Sequence, residues 1–352
     1  MKLHLLAVLL FFQLKSSAQE HKVILITLDG FRPLEFFAGA DSLLLFDSKV
    51  TKFSTTISQF WDSNPDKRVY KLLPFLSNLN SSNAVVLGNK SQGSFVGYSN
   101  TYKKSGPGYN EILSGLIKDR RVYNNQNKWN KNQTIFGAAA MDARYKDRVE
   151  AYTSWDFFPY VLNTKKNKIY VNAGNHPVLK SNPTPIQLQI LDNQNKTPII
   201  WPRVRLDTFT HQFAMDALHN SKPKLLLIGY GETDDYAHMQ KYDAYLKSAH
   251  QNDKMIKEIW DFIQQDPFYK DQTTLIITTD HGRGYGKDWG NHSPKIKGSD
   301  EGWMVLLGGG VDNFNPNEKG IYSVSQIAAT VATLLQLQYK PSGRIGESLI
   351  KF

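Results

Sequence analysis

Three short apolar runs place the strongest constraint on how this chain can fold. They are Val23 to Leu28 (VILITL), Lys224 to Ile228 (KLLLI) and Thr274 to Thr279 (TLIITT). Each is rich in aliphatic or β-branched residues and lacks the alternation of apolar with polar residues that marks a half-exposed strand. Runs of this kind are typical of strands buried on both faces of a parallel sheet. Two further strands are predicted at Ala84 to Leu87 and at Trp303 to Leu307.

Helical patterns lie between and after these runs. Residues Tyr236 to Gln265 carry apolar side chains at spacings of three, four and seven, which predicts an amphipathic helix. A second helix is predicted at Ser323 to Leu337, capped by Ser323 or Ser325. Strands that alternate with helices indicate an α/β fold, with a mostly parallel central sheet and helices on both faces.

The 352 residues divide into a short leader and one domain. Residues 1–18 contain Lys2, an apolar run from Leu5 to Phe12 and small residues up to Ala18, the pattern of a secretory signal peptide cleaved near Ala18. We therefore expect an exported protein, periplasmic or secreted. Residues 19–352 are predicted to form a single domain. Residues 145–215 are rich in aromatic, Asn, Pro and Lys residues without clear periodicity, and we expect a cap or insertion beside the sheet there.

Composition narrows the kinds of site and partner. The chain contains no cysteine, so thiol nucleophiles and thiolate metal ligands are excluded. Its formal charge of +10 favours anionic partners, and we expect a small anionic substrate. Without a dense basic block or a nucleic-acid fold signature, nucleic acid is not expected as a structural partner. No apolar run after the leader is long enough to span a membrane.

A carboxylate follows each of the three buried strands, and histidines follow two of them. Asp29 follows the first strand, and Asp280 and His281 follow the third. In open parallel sheets, ligands bind beyond the carboxyl ends of the strands. Carboxylates gathered there repel one another unless a cation neutralises them, and oxygen and imidazole ligands suit zinc, manganese or iron. The residues after the second strand, with a later loop histidine, complete the set: Glu232, Asp234, Asp235, His238 and His292.

A serine before a predicted helix is a candidate nucleophile. Ser105 opens the sequence SGPGY, in which Pro107 signals a helix start. The exposed N–H groups and the dipole of a helix N-terminus stabilise an anion there. A serine in this position is more often only a helix cap, so the motif needs support from the rest of the chain. Likewise, the i, i+4 spacing of Asp234 and His238 places them on one helix face.

The ordered motifs resemble those of the alkaline phosphatase superfamily, and within it the type I phosphodiesterase/nucleotide pyrophosphatase and phosphoglyceromutase-like branch. The resemblance covers most of the chain after the leader. It rests on these segments: TLDG at 27–30, SGPGYNEILSG at 105–115, ETDDYAH at 232–238, TDHGRG at 279–284, His292, IAATVATLL at 327–335 and GESL at 346–349.

The resemblance implies a hydrolase of phosphodiesters or phosphomonoesters that works through a phosphoserine intermediate. It implies two divalent metal ions, zinc in the first place and manganese as the alternative. One ion would be held by Asp234, His238 and His292; the other would be held by Asp29, Asp280, His281 and the nucleophile Ser105. Asn125 and the backbone amides of residues 106–109 are expected to bind phosphoryl oxygens.

The chain also departs from the pattern of this superfamily. Phosphodiesterase relatives usually carry Thr at the position of Ser105, and Tyr109 stands where sulfatases that use formylglycine have Arg, which disfavours a sulfatase of that kind. Asp235 is an alternative to Asp234 as the metal ligand. Two other functions stay open: a phosphoryl transferase or mutase with the same metal site, and a degenerate member that binds an anionic glycan through aromatic residues such as Trp155 and Tyr160.

Overall fold

The computed structural model describes residues 20–79 and 83–352. The predicted signal peptide at 1–18 lies outside the described residues. Across the described ranges, no helix combines the length and the apolarity needed to cross a bilayer.

The strands follow one another along the chain in this order: β1 (Lys22–Leu28), β2 (Ala84–Leu87), β3 (Phe95–Gly97), β4 (Val149–Thr153), β5 (Tyr170–Ala173), β6 (Leu225–Tyr230), β7 (Thr273–Thr278), β8 (Glu301–Gly302), β9 (Met304–Gly308) and β10 (Ile321–Ser323). All five strands predicted from apolar runs are present, within one or two residues of the expected limits.

The α-helices are α1 (Pro33–Ala38), α2 (Ser42–Leu45), α3 (Ser54–Phe60), α4 (Pro65–Leu72), α5 (Ser105–Ser114), α6 (Ile135–Met141), α7 (Phe158–Val161), α8 (Thr164–Asn167), α9 (Pro185–Lys196), α10 (Asp207–Asn220), α11 (Glu232–His238), α12 (Tyr242–Gln265) and α13 (Ile327–Leu334). Short 3₁₀ turns lie at 76–78, 90–92, 286–288, 311–313 and 324–326.

The main sheet has the strand order β2-β9-β7-β1-β6-β4-β5 in the described part of the chain. The strands from β7 to β5 in this order run parallel, and β9 pairs antiparallel with both β7 and β2. A separate small sheet has the order β10-β3-β8. The prediction of an α/β fold with a mostly parallel sheet is confirmed.

Successive residues of β1 enter two different hydrophobic cores, which explains the run without alternation. Ile24 and Ile26 pack into a core that also contains residues of α10 and α12. Val23 and Leu25 pack into a second core with residues of α5 and α13. Helices therefore cover both faces of the sheet, and five of the seven residues of β1 are apolar because neither face meets water; Lys22 and Thr27 are the exceptions.

Two predicted boundaries need correction. The helix expected over Tyr236 to Gln265 is divided into α11 and α12 at residues 239–241. The helix expected from Ser323 begins with a 3₁₀ turn at 324–326, and α13 follows. Ser323 does act as the cap, since its hydroxyl accepts from Ser325 and the side chain of Gln326 accepts in return from the Ser323 backbone N–H.

The region 145–215 is only partly a cap, because it supplies two strands of the main sheet. β4 lies between β6 and β5 and is fully buried. Its sequence, VEAYT, conceals the strand because Glu150 looks like a surface residue. The Glu150 carboxylate is buried but pairs with Lys180 Nζ at 2.6 Å and accepts from the Tyr152 hydroxyl at 2.7 Å, and these contacts offset the cost of burying its charge. The segment 174–206 connects the sheet edge to α10.

Candidate metal centre

The carboxyl ends of three neighbouring strands bring the predicted ligands to one edge of the sheet. β1 lies between β6 and β7, and its last residues are in register with both neighbours: Leu28 pairs with Tyr230, and Thr27 pairs with Thr278. The chain segments that follow these strands therefore leave the sheet side by side. They carry Asp29, helix α11 and the pair Asp280-His281, as the sequence predicts.

The first group of ligands surrounds Nε2 of His281. This atom lies 3.4 Å from Asp29 Oδ1, 3.4 Å from Asp280 Oδ2 and 3.2 Å from Ser105 Oγ. The other ring nitrogen, Nδ1, lies 3.0 Å from the carbonyl oxygen of Gly282, so Nδ1 carries the proton that this contact requires. Nε2 therefore presents its lone pair towards the two carboxylates and the hydroxyl.

Each of the two carboxylates keeps one oxygen free for a ligand. Asp29 Oδ2 accepts from the Tyr109 hydroxyl at 2.9 Å, and Asp280 Oδ1 accepts from the Gly30 amide at 3.0 Å. Asp29 Oδ1 and Asp280 Oδ2 are buried and have no hydrogen-bond partner among the described residues. Ligand atoms about 2.0 to 2.1 Å from a tetrahedral ion lie about 3.3 to 3.4 Å apart, which matches the separations around His281. The residues present therefore fit a divalent cation.

A second group adjoins the first. His238 Nε2 lies 3.1 Å from Asp234 Oδ2 and 3.2 Å from His292 Nε2, as the i, i+4 spacing on α11 predicts for the first pair. The His292 ring stacks on His281 with centroids 3.7 Å apart. Asp234 Oδ1 lies 3.6 Å from His281 Nε2, so the two groups share a border. Asp234, His281 and His292 form one cluster with metal-binding geometry, and Asp29, Asp280 and His281 form the other.

Burial and mutual repulsion dominate the electrostatics of the first group. Burial, with the neighbouring Asp234 charge, raises the pKa of Asp29 well above its usual range. Burial and Asp29 do the same to the pKa of Asp280. Burial and the neighbouring His281 lower the pKa of His292 to about 2. These shifts show that the carboxylates of the site are costly to ionise and that the His292 imidazole is costly to protonate. A bound cation would remove the first cost, because it neutralises the carboxylates.

Arg283 is a residue of the site that the sequence reasoning missed. It is fully buried, donates through Nη2 to the Gly290 carbonyl at 2.6 Å and forms an ion pair with Asp234 Oδ1. Although burial acts in the opposite direction, Arg283 and His238 hold the pKa of Asp234 well below its usual range. Gly30 closes over this pair with φ of 58°, and a Cβ there would lie 2.6 Å from Asp234 Oδ1. The signal in the sequence was the arginine inside TDHGRG.

Ser105 is the first residue of α5 and not the residue before it. Its side chain caps no helical amide, and Lys104 occupies the cap position, so the hydroxyl is free to face His281. The start of α5 packs tightly on the end of β7: a Cβ on Gly108 would collide with the Asp280 carbonyl oxygen. This close approach requires glycine and places Ser105 in the first group.

The expected anion site made of backbone amides is largely absent. The Gly106 amide donates to Asn125 Oδ1 at 2.8 Å, the Gly108 amide donates to the Lys104 carbonyl at 2.9 Å, and Pro107 has no amide hydrogen. The expectation that residues 106–109 bind phosphoryl oxygens is therefore wrong for these three positions. Asn125 does lie at the site, since its side chain contacts Gly106 and lines the same pocket as Ser105.

A pocket of about 430 Å³ opens above both groups. Asp235 also lines it, and burial and Asp234 raise the Asp235 pKa to about 7. Glu232 turns away from the ligands, since its carboxylate accepts from the Asp207 amide at 2.7 Å and from the Ser248 hydroxyl at 3.3 Å. Of the two aspartates at 234 and 235, Asp234 is the one in contact with His238. The remaining lining residues are Trp155, Trp201, Pro202, Arg203, Val204 and Gly231.

Comparisons with known proteins agree with this fold. Residues 202–338 match a family described as the Metalloenzyme superfamily. The structure of wild-type alkaline phosphatase PafA is similar with a TM-score of 0.56 at 10% identity, over 94% of this chain and 98% of that one. The soluble domain of lipooligosaccharide phosphoethanolamine transferase A from Neisseria meningitidis gives 0.53 at 11% identity, over 93% and 92% of the two chains.

A third similar structure is BT1596, a 2-O GAG sulfatase, with a TM-score of 0.53 at 12% identity, over 94% of this chain and 73% of that one. No match was found among the curated proteins. At these identities the solved structures establish the fold, and the Metalloenzyme match covers residues 202–338.

Proposed function

We propose that this chain belongs to the alkaline phosphatase superfamily and hydrolyses phosphate esters with Ser105 as the nucleophile; its fold and its Metalloenzyme match over residues 202–338 support the proposal. The observation that carries the proposal is the position of Ser105 Oγ, 3.2 Å from His281 Nε2. The same nitrogen faces two buried carboxylate oxygens that have no partner in the described residues.

The donors present define where two divalent cations would be held. Asp29, Asp280, His281 and Ser105 would hold one ion, and Asp234, His238 and His292 the other. Zinc suits this set of oxygen and imidazole ligands, with manganese as the alternative. Such cations would lower the pKa of the Ser105 hydroxyl and neutralise charge on the phosphoryl group.

The reaction divides into two displacements at phosphorus. Ser105 Oγ forms a bond to phosphorus while the bond to the leaving oxygen breaks, which gives a phosphoserine and releases the alcohol. Water then attacks the phosphoserine and releases phosphate, or a monoester if the substrate was a diester. Because Asn125 Oδ1 is held by the Gly106 amide, its Nδ2 is the group of Asn125 left to donate to a phosphoryl oxygen.

The proposal extends to domain organisation and location. Residues 19–352 act as one catalytic domain in which the segment 174–206 forms one side of the pocket. Residues 1–18 act as a signal peptide, so hydrolysis takes place outside the cytoplasm. Trp155, one of the aromatic residues considered for glycan stacking, lines the pocket of Ser105, which supports a role in binding the ester instead of a glycan.

A substrate panel tests the function. Purified protein loaded with zinc or manganese is assayed with 4-nitrophenyl phosphate and with its bis-ester, with and without chelator. We expect metal-dependent release of 4-nitrophenol, with inorganic phosphate as product from the monoester. Phosphoryl transfer to an added alcohol in place of phosphate release would identify a transferase. No release from either ester by metal-replete protein would contradict the proposal.

A further inference from the structure

One wall of the pocket is built by the residues that follow β4 and by the segment that pairs with them. Trp155 follows β4, which is separated from β1 by β6 alone. Strands in a sheet are about 4.8 Å apart, so the end of β4 lies about 10 Å from the end of β1. Trp155 and Ser105 line the same pocket, so a group joined through oxygen to a phosphorus atom at Ser105 shares that pocket with Trp155. We call Trp155, Trp201, Arg203 and Val204 the leaving-group wall.

The leaving-group wall is held rigidly by backbone pairing. The Asp156 amide donates to the Arg203 carbonyl at 3.0 Å, and the Arg205 amide donates to the Ser154 carbonyl at 2.9 Å. Trp155 and Val204 form an antiparallel bridge between these bonds. A recognition surface fixed before the substrate arrives loses little conformational entropy on binding, so this wall is suited to discriminate between substrates.

Two indole rings give the wall a flat apolar character. Trp155 stacks on Phe157 with centroids 4.5 Å apart. Trp201 meets Tyr236 edge-on at 4.8 Å, and its Nε1 lies 3.3 Å from the Met239 sulfur. Each ring is thus held in place by protein contacts. Indoles in such positions favour planar aromatic groups.

Arg203 adds a positive charge to the wall. Its Nε lies 2.9 Å from Asp156 Oδ1, and its Nη2 lies 2.6 Å from Asn127 Oδ1. Nη1 has no hydrogen-bond partner within the ranges that the structure describes, and the side chain is 41% exposed. The guanidinium is therefore oriented by Asp156 and Asn127 while it keeps N–H donors for a further acceptor.

We propose that the leaving-group wall is a subsite for an alcohol consisting of a flat aromatic ring with an anionic substituent. The ring packs against Trp155 and Trp201, and Arg203 Nη1 donates to the anionic oxygen. The proposal rests on the proposed phosphate ester hydrolysis and names the class of its leaving group. Arg203 and the two tryptophans determine specificity; the phosphoryl group itself is left to Ser105 and Asn125.

Two matched esters test the role of the charge. The substrates are 4-carboxyphenyl phosphate and its neutral isostere 4-carbamoylphenyl phosphate, assayed with the zinc-loaded protein. We expect a higher kcat/KM for 4-carboxyphenyl phosphate than for the carbamoyl compound. Arg203→Gln should lower the ratio of the two values about tenfold, the size of one charge-assisted hydrogen bond at a partly exposed site. Arg144→Gln is the matched control, since Arg144 is equally exposed and also pairs with an aspartate. An unchanged preference in Arg203→Gln would overturn the subsite and leave hydrolysis intact.

Direct binding separates failure of the subsite from failure of the proposed function. Calorimetric titration of the zinc-loaded protein with 4-hydroxybenzoate and with 4-hydroxybenzamide measures the affinity of the leaving-group wall for each compound without any turnover. We expect tighter binding of the benzoate, a loss of that difference in Arg203→Gln, and weaker binding of both compounds in Trp155→Leu. If neither ester is hydrolysed but the benzoate preference depends on Arg203, the hydrolase proposal fails and the subsite stands. If the two compounds bind equally to the unmodified protein, the subsite is refuted.

Discussion

The Tyr109 hydroxyl donates to Asp29 Oδ2 at 2.9 Å and so joins the helix that carries Ser105 to the end of the central strand. Tyr109 is buried, and burial beside Asp29 raises its pKa well above the usual range, so the hydroxyl keeps its proton and remains a donor. Because Oδ2 is held in this way, Oδ1 is the oxygen of Asp29 that faces His281. One hydrogen bond thus orients both a proposed ligand and the helix of the proposed nucleophile.

Removal of this hydroxyl should weaken metal binding. In Tyr109→Phe the Asp29 carboxylate loses its fixed orientation. Loss of a hydrogen-bond partner of a metal ligand lowers metal affinity by about 10-fold to 100-fold. Titration of metal-free protein with zinc against a competing chelator measures the change. Tyr152→Phe is the control, since Tyr152 is equally buried and donates to Glu150 at 2.7 Å away from the site. Equal affinities in the two variants would exclude an orienting role for Tyr109.

Ser105→Ala should retain metal and lose turnover. The variant removes the attacking oxygen and leaves the carboxylates and imidazoles in place, so we expect kcat to fall by about 10³-fold or more. Ser114→Ala, at the other end of α5, is the control; its hydroxyl donates to the Asn110 carbonyl and accepts from the Leu116 amide. Turnover and metal content are measured on the same preparation. Turnover near that of the unmodified protein in Ser105→Ala would remove the serine from the nucleophile role.

Asp280→Asn should lower metal content at the site around His281. The amide nitrogen or neutral oxygen placed at Oδ2 binds a cation less strongly than a carboxylate. Elemental analysis after dialysis should therefore give about one equivalent of metal where the unmodified protein gives two. Asp253→Asn controls for the loss of a buried carboxylate, since Asp253 accepts from the backbone amides of Phe75 and Leu76. Two full equivalents in Asp280→Asn would refute the assignment.

Gly108→Ala should disturb the site through packing. The added Cβ meets the Asp280 carbonyl, so α5 must shift away from β7 and carry Ser105 with it. We expect a loss of about 1 to 3 kcal/mol in the free energy of unfolding, the usual cost of overpacking, together with reduced turnover. Chemical denaturation and enzyme assays check the two effects. Unchanged stability and turnover would contradict the close approach of α5 and β7.

His21→Gln should make the free energy of unfolding depend less on pH between pH 6.5 and 4. Burial, with Lys22 nearby, lowers the pKa of His21 from 6.5 to about 4, so the unfolded chain binds a proton in this range that the folded protein does not. The free energy of unfolding should therefore fall as the pH drops from 6.5 to 4, by at most about 3 kcal/mol from this residue. Glutamine can still donate to Thr274, as His21 does at 2.7 Å. Urea unfolding of both proteins across this range, with identical slopes, would contradict the prediction.

The sequence was most informative where burial is uniform. Apolar runs without alternation predicted β1, β6 and β7 because both faces of those strands are covered, and the carboxylates after them could be assigned to one edge on topology alone. β4 was missed because Glu150 looks like a surface residue, and only the folded protein brings Lys180 within 2.6 Å of it.

Contacts between distant segments set the rest of the site. Nothing in the sequence indicates that Arg283 pairs with Asp234 or that the Gly106 amide is used by Asn125. The leaving-group wall was likewise hidden, because Trp155 is brought to Val204, and Asp156 to Arg203, by backbone pairing between irregular segments. A strand can be predicted from its own residues, whereas these contacts depend on how segments that are distant in sequence pack together in the folded protein.

The order of the strands has a consequence for biogenesis. β1 is flanked by β6 and β7, so its two neighbours in the sheet are made only after some two hundred further residues have been synthesised. An emerging chain contains Asp29 early, but all three imidazole ligands, His238, His281 and His292, are synthesised after β6. Pairings of such long sequence separation form slowly, so uptake of the cations should be among the last events of maturation and should report that the sheet is complete.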